Sequence, residues 1–143
     1  MTQPAPGPDQ TPLAKVTFNL EPPPSINHIW QRGSRGKVFR SRNYLTWLRI
    51  SHLMIGRPGS FSGPVAIRLW MIGGKGWRKG RDIDNVLKPI LDFLVHAGLI
   101  PDDNHDIVQR ITITYSDPPK AKDKAFLRVR IHGIKGPADA TQP

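Results

Sequence analysis

Asp82 and Asp84, two residues apart, and Lys88, four positions further on, are the side chains of this sequence best placed to do chemistry. In an extended chain, residues i and i+2 point to the same face, about 7 Å apart at the backbone. Two carboxylates at that spacing can lean on one metal ion. Mg²⁺ takes a few carboxylates plus waters and leaves positions for phosphate oxygens; Mn²⁺ is expected to substitute. One helix later come Asp102 and Asp103. A helix packed on a sheet can return the chain to the same edge, where a third carboxylate completes the cluster. Adjacent loop residues seldom both face one point, so Asp103 is taken as the third ligand, with Asp102 as the alternative. Lys88 shares a helix face with Asp84 and is placed to neutralise charge building up on a scissile phosphate.

Each residue also has an ordinary reading. Asp-x-Asp is a common pattern, and Asp82 or Asp84 is a good helix N-cap. Asp84 and Lys88 stand at i, i+4, the spacing of a surface ion pair. Asp92 reads as solvated helix face, and Asn85 as a local backbone partner. His28, His52, His96, His105 and His132 show no metal-binding spacing; His105 alone adjoins the acids.

The charge distribution sharpens the question. The chain has 143 residues, with 21 Lys plus Arg against 11 Asp plus Glu, a net charge of +10. Six of the 11 acids fall between Asp82 and Asp106, where Lys88 is the one basic residue. Elsewhere the chain is basic, in three groups: residues 32–49, residues 75–81 and residues 120–130. So strong a positive bias points to a polyanion, nucleic acid before an acidic membrane surface. Clustered carboxylates would repel a phosphate backbone unless a divalent cation among them reverses the local sign. The plain alternative is an acidic loop on a solvated face. The absence of cysteine excludes a disulfide framework, a zinc ribbon and a thiol nucleophile. No apolar stretch approaches the ~20 residues that span a bilayer, and the first 12 residues lack a signal-peptide pattern. A cytoplasmic protein without membrane attachment or organic cofactor is expected.

The elements that must position these residues follow from periodicity. Val16, Phe18 and Leu20 alternate in a strand over 15–20. Tyr44, Trp47, Leu48, Met54 and Ile55 recur at helical spacing after Ser41, and Gly56 and Pro58 end that run. Val65, Ile67, Leu69 and Met71 alternate in a second strand, followed by a Gly-rich loop, residues 73–80. A second helix covers about 85–96, its apolar face carrying Val86, Leu87, Ile90, Leu91 and Leu94, with Gly98 as its stop. Pro89 predicts a distortion or a late helical start. Ile111, Ile113 and Tyr115, then Leu127, Val129 and Ile131, mark two further strands. The order β-α-β-α-β-β predicts a single-domain α+β fold, a mixed sheet with two helices packed on it. The proline-rich residues 1–12 and the last residues, 134–143, read as flexible tails flanking a domain over 13–133.

The run 81–89 (Arg-Asp-Ile-Asp-Asn-Val-Leu-Lys-Pro), then Leu91-Asp92, then 97–103 (Ala-Gly-Leu-Ile-Pro-Asp-Asp), resembles the RusA family of Holliday junction resolvases, also called crossover junction endodeoxyribonucleases. The shared pattern is a D-x-D-N-x-x-K helix start, an A-G helix end and an aspartate pair just beyond it. Pro23-Pro24-Ser25 with Asn27, after an early strand, fits as well, so the resemblance covers roughly 15–132. It implies a homodimer that binds four-way DNA junctions by shape and makes paired nicks with Mg²⁺. By position it makes Asp82, Asp84 and Asp103 the metal-binding carboxylates and Lys88 the essential lysine. The Gly-rich loop with Trp77 and the His105-Asp106 segment depart from the pattern, which leaves Asp102 against Asp103 open.

The expected function is therefore Mg²⁺-dependent nicking of branched DNA in recombination and repair. The competing readings are a metal nuclease acting on flaps or forks and a non-catalytic basic DNA-binding module. Arg32, Arg35, Lys37, Arg40, Lys75, Arg78, Lys79 and Arg81 are the expected phosphate contacts. Among the tryptophans, Trp47 and Trp70 read as core, and Trp77 as the one to test for DNA contact.

Overall fold

The computed structural model describes residues 12–25 and 29–134. Of the expected tails, 1–12 and 134–143, all but Pro12 and Ile134 lie outside the described residues, as do Asn27 and His28. Strand β1 (Lys15–Leu20) is followed by a short hairpin, β2 (Trp30–Arg32) and β3 (Val38–Arg40), joined by a 3₁₀ turn. Helix α1 (Arg42–Ile55), β4 (Val65–Ile72), α2 (Leu87–His96), β5 (Val108–Ser116) and β6 (Phe126–Gly133) complete the chain. The four long strands form one sheet in the order β1-β6-β4-β5; β6 runs antiparallel to both of its neighbours, and β4 and β5 are parallel. The expected α+β class and mixed sheet are what the chain adopts. The hairpin is an addition that periodicity did not announce.

The parallel pair explains where α2 lies. Parallel neighbours need a crossover connection, and a helix supplies it. Val65, Ile67, Leu69 and Met71 are at most 1% exposed and face the helices. Tyr44, Trp47 and Leu48 of α1 and Ile90, Phe93 and Leu94 of α2 meet them in one core. Each such side chain, fully buried, stabilises the fold by about 1.5–3 kcal/mol. Trp47 is core as expected, and its indole N–H donates to the Glu21 carbonyl at 2.9 Å. Met54, counted with the apolar face of α1, is instead 50% exposed.

Trp70 is a correction. It occupies the opposite phase of β4 from Leu69 and Met71, so it stands half-buried on the face of the sheet away from the core. There the guanidinium carbons of Arg68 and Arg130 lie 4.7 and 4.9 Å from its ring centroid. A period of two allows no other outcome once its neighbours in the strand are core.

Helix α2 starts late, as Pro89 requires. A 3₁₀ turn, Ile83–Val86, precedes it, and Pro89 becomes the third residue of the α-helix. In the first turn its missing N–H costs nothing. Gly98, at φ +75°, ends the helix; its N–H donates to the Val95 carbonyl at 3.0 Å, and the Leu99 N–H to that of Leu94 at 3.0 Å.

The two helices also touch through their histidines. His52 Nε2 lies 2.9 Å from His96 Nδ1, and the His52 ring meets Phe93 edge-on at 5.2 Å. Burial, then the neighbouring His96, lowers the His52 pKa below its ordinary 6.5. The unfolded chain therefore takes this proton first as pH falls, so the stability His52 contributes is present above about 6.5 and lost through the depressed pKa. The melting temperature should drop between about pH 7.5 and pH 5, and His52→Gln should shrink that drop; an unchanged drop would refute the coupling.

No helix among the described residues is long and apolar enough to cross a membrane.

Candidate active site

The aspartates and the lysine sit at the two ends of α2. Asp82 precedes the 3₁₀ turn with an extended backbone, and its carbonyl accepts the Asn85 N–H at 3.1 Å. Its carboxylate makes no capping bond, and Asp84 lies within the turn's first residues. Capping therefore does not account for either side chain, and both are exposed. Among the described residues neither carboxylate has a hydrogen-bond or ion-pair partner. The Asp84–Lys88 ion pair, the ordinary reading of their spacing, does not form.

Lys88 turns along the helix instead. Its ammonium lies 3.0 Å from Asp92 Oδ1, one turn on, and 3.3 Å from Asp103 Oδ2 in the loop after α2. Hydrogen bonding to Asp92 is the largest effect on Lys88 and raises its pKa, with Asp103 adding to it against some desolvation. The ammonium is thus fully charged at neutral pH. Asp92, read from sequence as solvated helix face, is the residue that reading missed. It also accepts a hydrogen bond from the Tyr44 hydroxyl at 3.4 Å. Burial, then the Asp92 charge, pushes the Tyr44 pKa up to about 12, so the hydroxyl keeps its proton to donate. The sequence signals for Asp92 were its i+4 spacing from Lys88 and its place, with Leu91, in the run that carries the family resemblance.

The aspartate pair divides as loop geometry suggested. Asp102 is consumed locally: Oδ1 accepts the Asp103 N–H at 2.7 Å, and Oδ2 accepts the Asn104 amide at 2.9 Å. Asp103 faces Lys88. His105 reaches only Asp106, at 3.3 Å, with both side chains exposed.

The structure therefore gathers Lys88, Asp92 and Asp103, with Asp82 and Asp84 on the turn that leads into the same helix. Among the described residues no three carboxylates or imidazoles converge closely enough to enclose a metal ion. The donor set nevertheless suits a hard divalent cation in kind. It consists of carboxylate oxygens, the ligands that Mg²⁺ prefers, and among the described residues the exposed Asp82 and Asp84 have no competing partner.

Basic side chains flank this cluster. Arg32, Arg35 and Lys37 are exposed on the β2–β3 hairpin, beside Trp30 and Phe39, which are 57% and 48% exposed. The Arg40 guanidinium lies 5.5 Å from the Tyr44 ring centroid, which ties the hairpin to the Asp92 network. Lys75, Arg78 and Lys79 are exposed on the Gly-rich loop. Gly74 is required there: at φ +147° any Cβ would collide with the Asp123 carbonyl. Arg81 is committed inward instead. It donates to the Pro23 carbonyl at 2.7 Å and stacks on Trp77 at 4.4 Å, and burial lowers its pKa. Trp77 is half-buried against the core beneath it.

Two comparisons bear on this arrangement. The family model described as endodeoxyribonuclease RusA matches residues 19–132, which include every residue of the cluster. A crossover junction endodeoxyribonuclease RusA of Enterobacteria phage HK97 is 30% identical over 100 residues, covering 64% of this chain and 76% of the phage protein.

Proposed function

This chain belongs to the RusA endodeoxyribonuclease family, and from that premise we propose that it nicks four-way DNA junctions, with a divalent cation, in recombination and repair. The observation that carries the reading is the Lys88 ammonium held between Asp92 and Asp103, with two exposed carboxylates, unpartnered among the described residues, on the turn into the same helix. Asp82 and Asp84 are exposed and, among the described residues, free to take an incoming ion.

Asp82, Asp84 and Asp103 are the residues that would hold Mg²⁺, for which Mn²⁺ should substitute. Bound there, the ion would lower the pKa of a water and draw charge from the phosphoryl oxygens. The chain's own groups do the rest. Lys88 brings a fixed positive charge beside Asp103, where negative charge grows as the phosphodiester is attacked. Asp92 and Tyr44 hold the ammonium in place. Arg32, Arg35, Lys37 and Arg40 on one side, and Lys75, Arg78 and Lys79 on the other, bind backbone phosphates. Arg81 acts through Trp77 and Pro23 by fixing the Gly-rich loop. Residues 13–133 make up the nuclease domain. A homodimer is the working form, because a two-fold pair supplies two equal sites for two symmetric cuts.

The deciding experiment compares cleavage of a four-way junction, a flap and a linear duplex in Mg²⁺. Preferential, paired nicking of the junction is expected. Preference for the flap would make this a different structure-selective nuclease, and binding without cleavage in Mg²⁺ or Mn²⁺ would leave only a DNA-binding module.

Asp92→Asn tests the positioning role. It keeps an acceptor for Tyr44 but replaces the charged partner whose hydrogen bond, and then whose charge, raises the Lys88 pKa. Cleavage should fall by about tenfold, the low end for a residue that orients a functional group. The alkaline limb of the rate–pH profile should also move to lower pH, because a less stabilised ammonium loses its proton sooner. A merely structural Asp92 would leave that limb where it is.

A further inference from the structure

The face of the sheet away from α1 and α2 carries a set of cations without counterions among the described residues. The register places Arg130 of β6 directly opposite Arg68 of β4, and Arg128 opposite Trp70. Beyond β4, Ala66 faces Arg110 of β5 and Trp70 faces Thr114. None of these positions, nor Thr17 and Asn19 on β1, is a carboxylate.

This arrangement costs stability. Like charges directly opposite across a strand pair repel, and the contact of each arginine with Trp70 offsets only about 0.5–1 kcal/mol. Polar atoms here are also left unused. Arg130 Nε, Arg110 Nη1 and Thr114 Oγ1 are sealed from solvent, with no hydrogen-bond partner among the described residues. Being sealed, these atoms meet no outside acceptor; the groups open to one are the exposed guanidiniums of Arg68 and Arg128. Trp70 holds the Arg68 and Arg130 guanidiniums at fixed positions over its ring, and guanidinium forks match phosphate oxygens in pairs.

We propose that this helix-free face is a second DNA-backbone surface, on the opposite side of the sheet from the Lys88–Asp103 cluster, which takes the phosphates of a junction arm other than the one being cut. It rests on the junction-cleaving reading and adds to it: one protomer grips two arms, one on each side of its sheet. Charge decides the occupant. A second copy of this chain would bring its own arginines to this face, whereas a phosphate backbone brings only acceptors.

Arg68→Gln/Arg128→Gln tests this, because both side chains are exposed and neither contacts the acidic cluster. Junction affinity is measured by fluorescence anisotropy over a series of KCl concentrations without divalent metal. Loss of two phosphate contacts should make the slope of log K against log salt shallower by about 1.8. The melting temperature should hold or rise as a like-charge pair is relieved, and the sedimentation coefficient should not change. Arg68→Lys/Arg128→Lys should restore the slope, and Thr114→Glu should weaken binding by putting an anion among the arginines.

An unchanged slope with wild-type affinity would overturn the inference while leaving the functional reading intact. A shift toward monomer would overturn it too, by making the face a subunit interface. Failure of the wild-type protein to bind junctions at all would remove the functional reading and this inference with it.

Discussion

Asp103→Asn should reduce single-turnover cleavage of a four-way junction on the order of a thousandfold, the scale set by removing one preorganised charge-stabilising group, while the junction stays bound as tightly or more tightly. The substitution is nearly isosteric and leaves an oxygen for the Lys88 ammonium, now 3.3 Å away. What disappears is one negative charge, which a divalent ion needs and which a phosphate backbone would otherwise be repelled by. The two effects have opposite signs for cutting and for holding, so a gel-shift assay beside a cleavage assay separates them. Asp102→Asn is the internal control. Its carboxylate is occupied by the Asp103 N–H and the Asn104 amide, and its loss should cost less than about tenfold. Normal cutting by Asp103→Asn, or an equal loss in both variants, would remove Asp103 from the site.

Lys88→Gln should be the next most damaging change, lowering cleavage about a hundredfold with a small effect on junction affinity. The ammonium neutralises Asp92 and Asp103 together, so its removal leaves two carboxylates facing each other and an approaching phosphate. Adding salt should not restore the rate, since the lost group acts locally rather than through the long-range field. The folded protein holds this proton above the ordinary 10.5 of lysine. The stability it contributes is therefore present throughout the neutral range and lost only as pH rises through that raised value. A rate for Lys88→Gln within a few-fold of wild type would reduce Lys88 to an exposed surface ion pair.

The legible part of this fold was the part written in one long period. Residues 65–71 alternate without interruption, so β4 and its buried face were readable, and Pro89 with Gly98 marked where α2 begins and ends. The β2–β3 hairpin was not readable, because each strand has three residues and the pair is held by cross-strand bonds that no pattern encodes. Trp70 was misplaced for a different reason. Its size suggested burial, yet the phase of its own strand put it outside, and the two arginines that stack on it sit 2 and 60 positions away. Residue types, spacing and the family resemblance drew attention to Asp82, Asp84, Lys88 and Asp103 as the candidate site. What spacing could not tell is which acid the lysine chooses. Asp84 and Asp92 are both four residues from Lys88, and Asp92 also has the Tyr44 hydroxyl, from another helix, to fix its carboxylate. The His52–His96 contact, spanning 44 positions, lay equally beyond any local pattern.

β6, the last strand to be made, lies between β1 and β4 and is the partner of both. During synthesis β1 can therefore take its place in the sheet only once residues 126–133 have left the ribosome. Long waits for distant pairings make folding slow and leave apolar strands open to wrong partners. The same adjacency sets Pro12 against Ser60 and Ile134 against Pro64. Joining the two ends by a short linker and opening the chain in an exposed loop should thus yield a permuted protein that folds sooner, with every strand still beside the neighbour it has now.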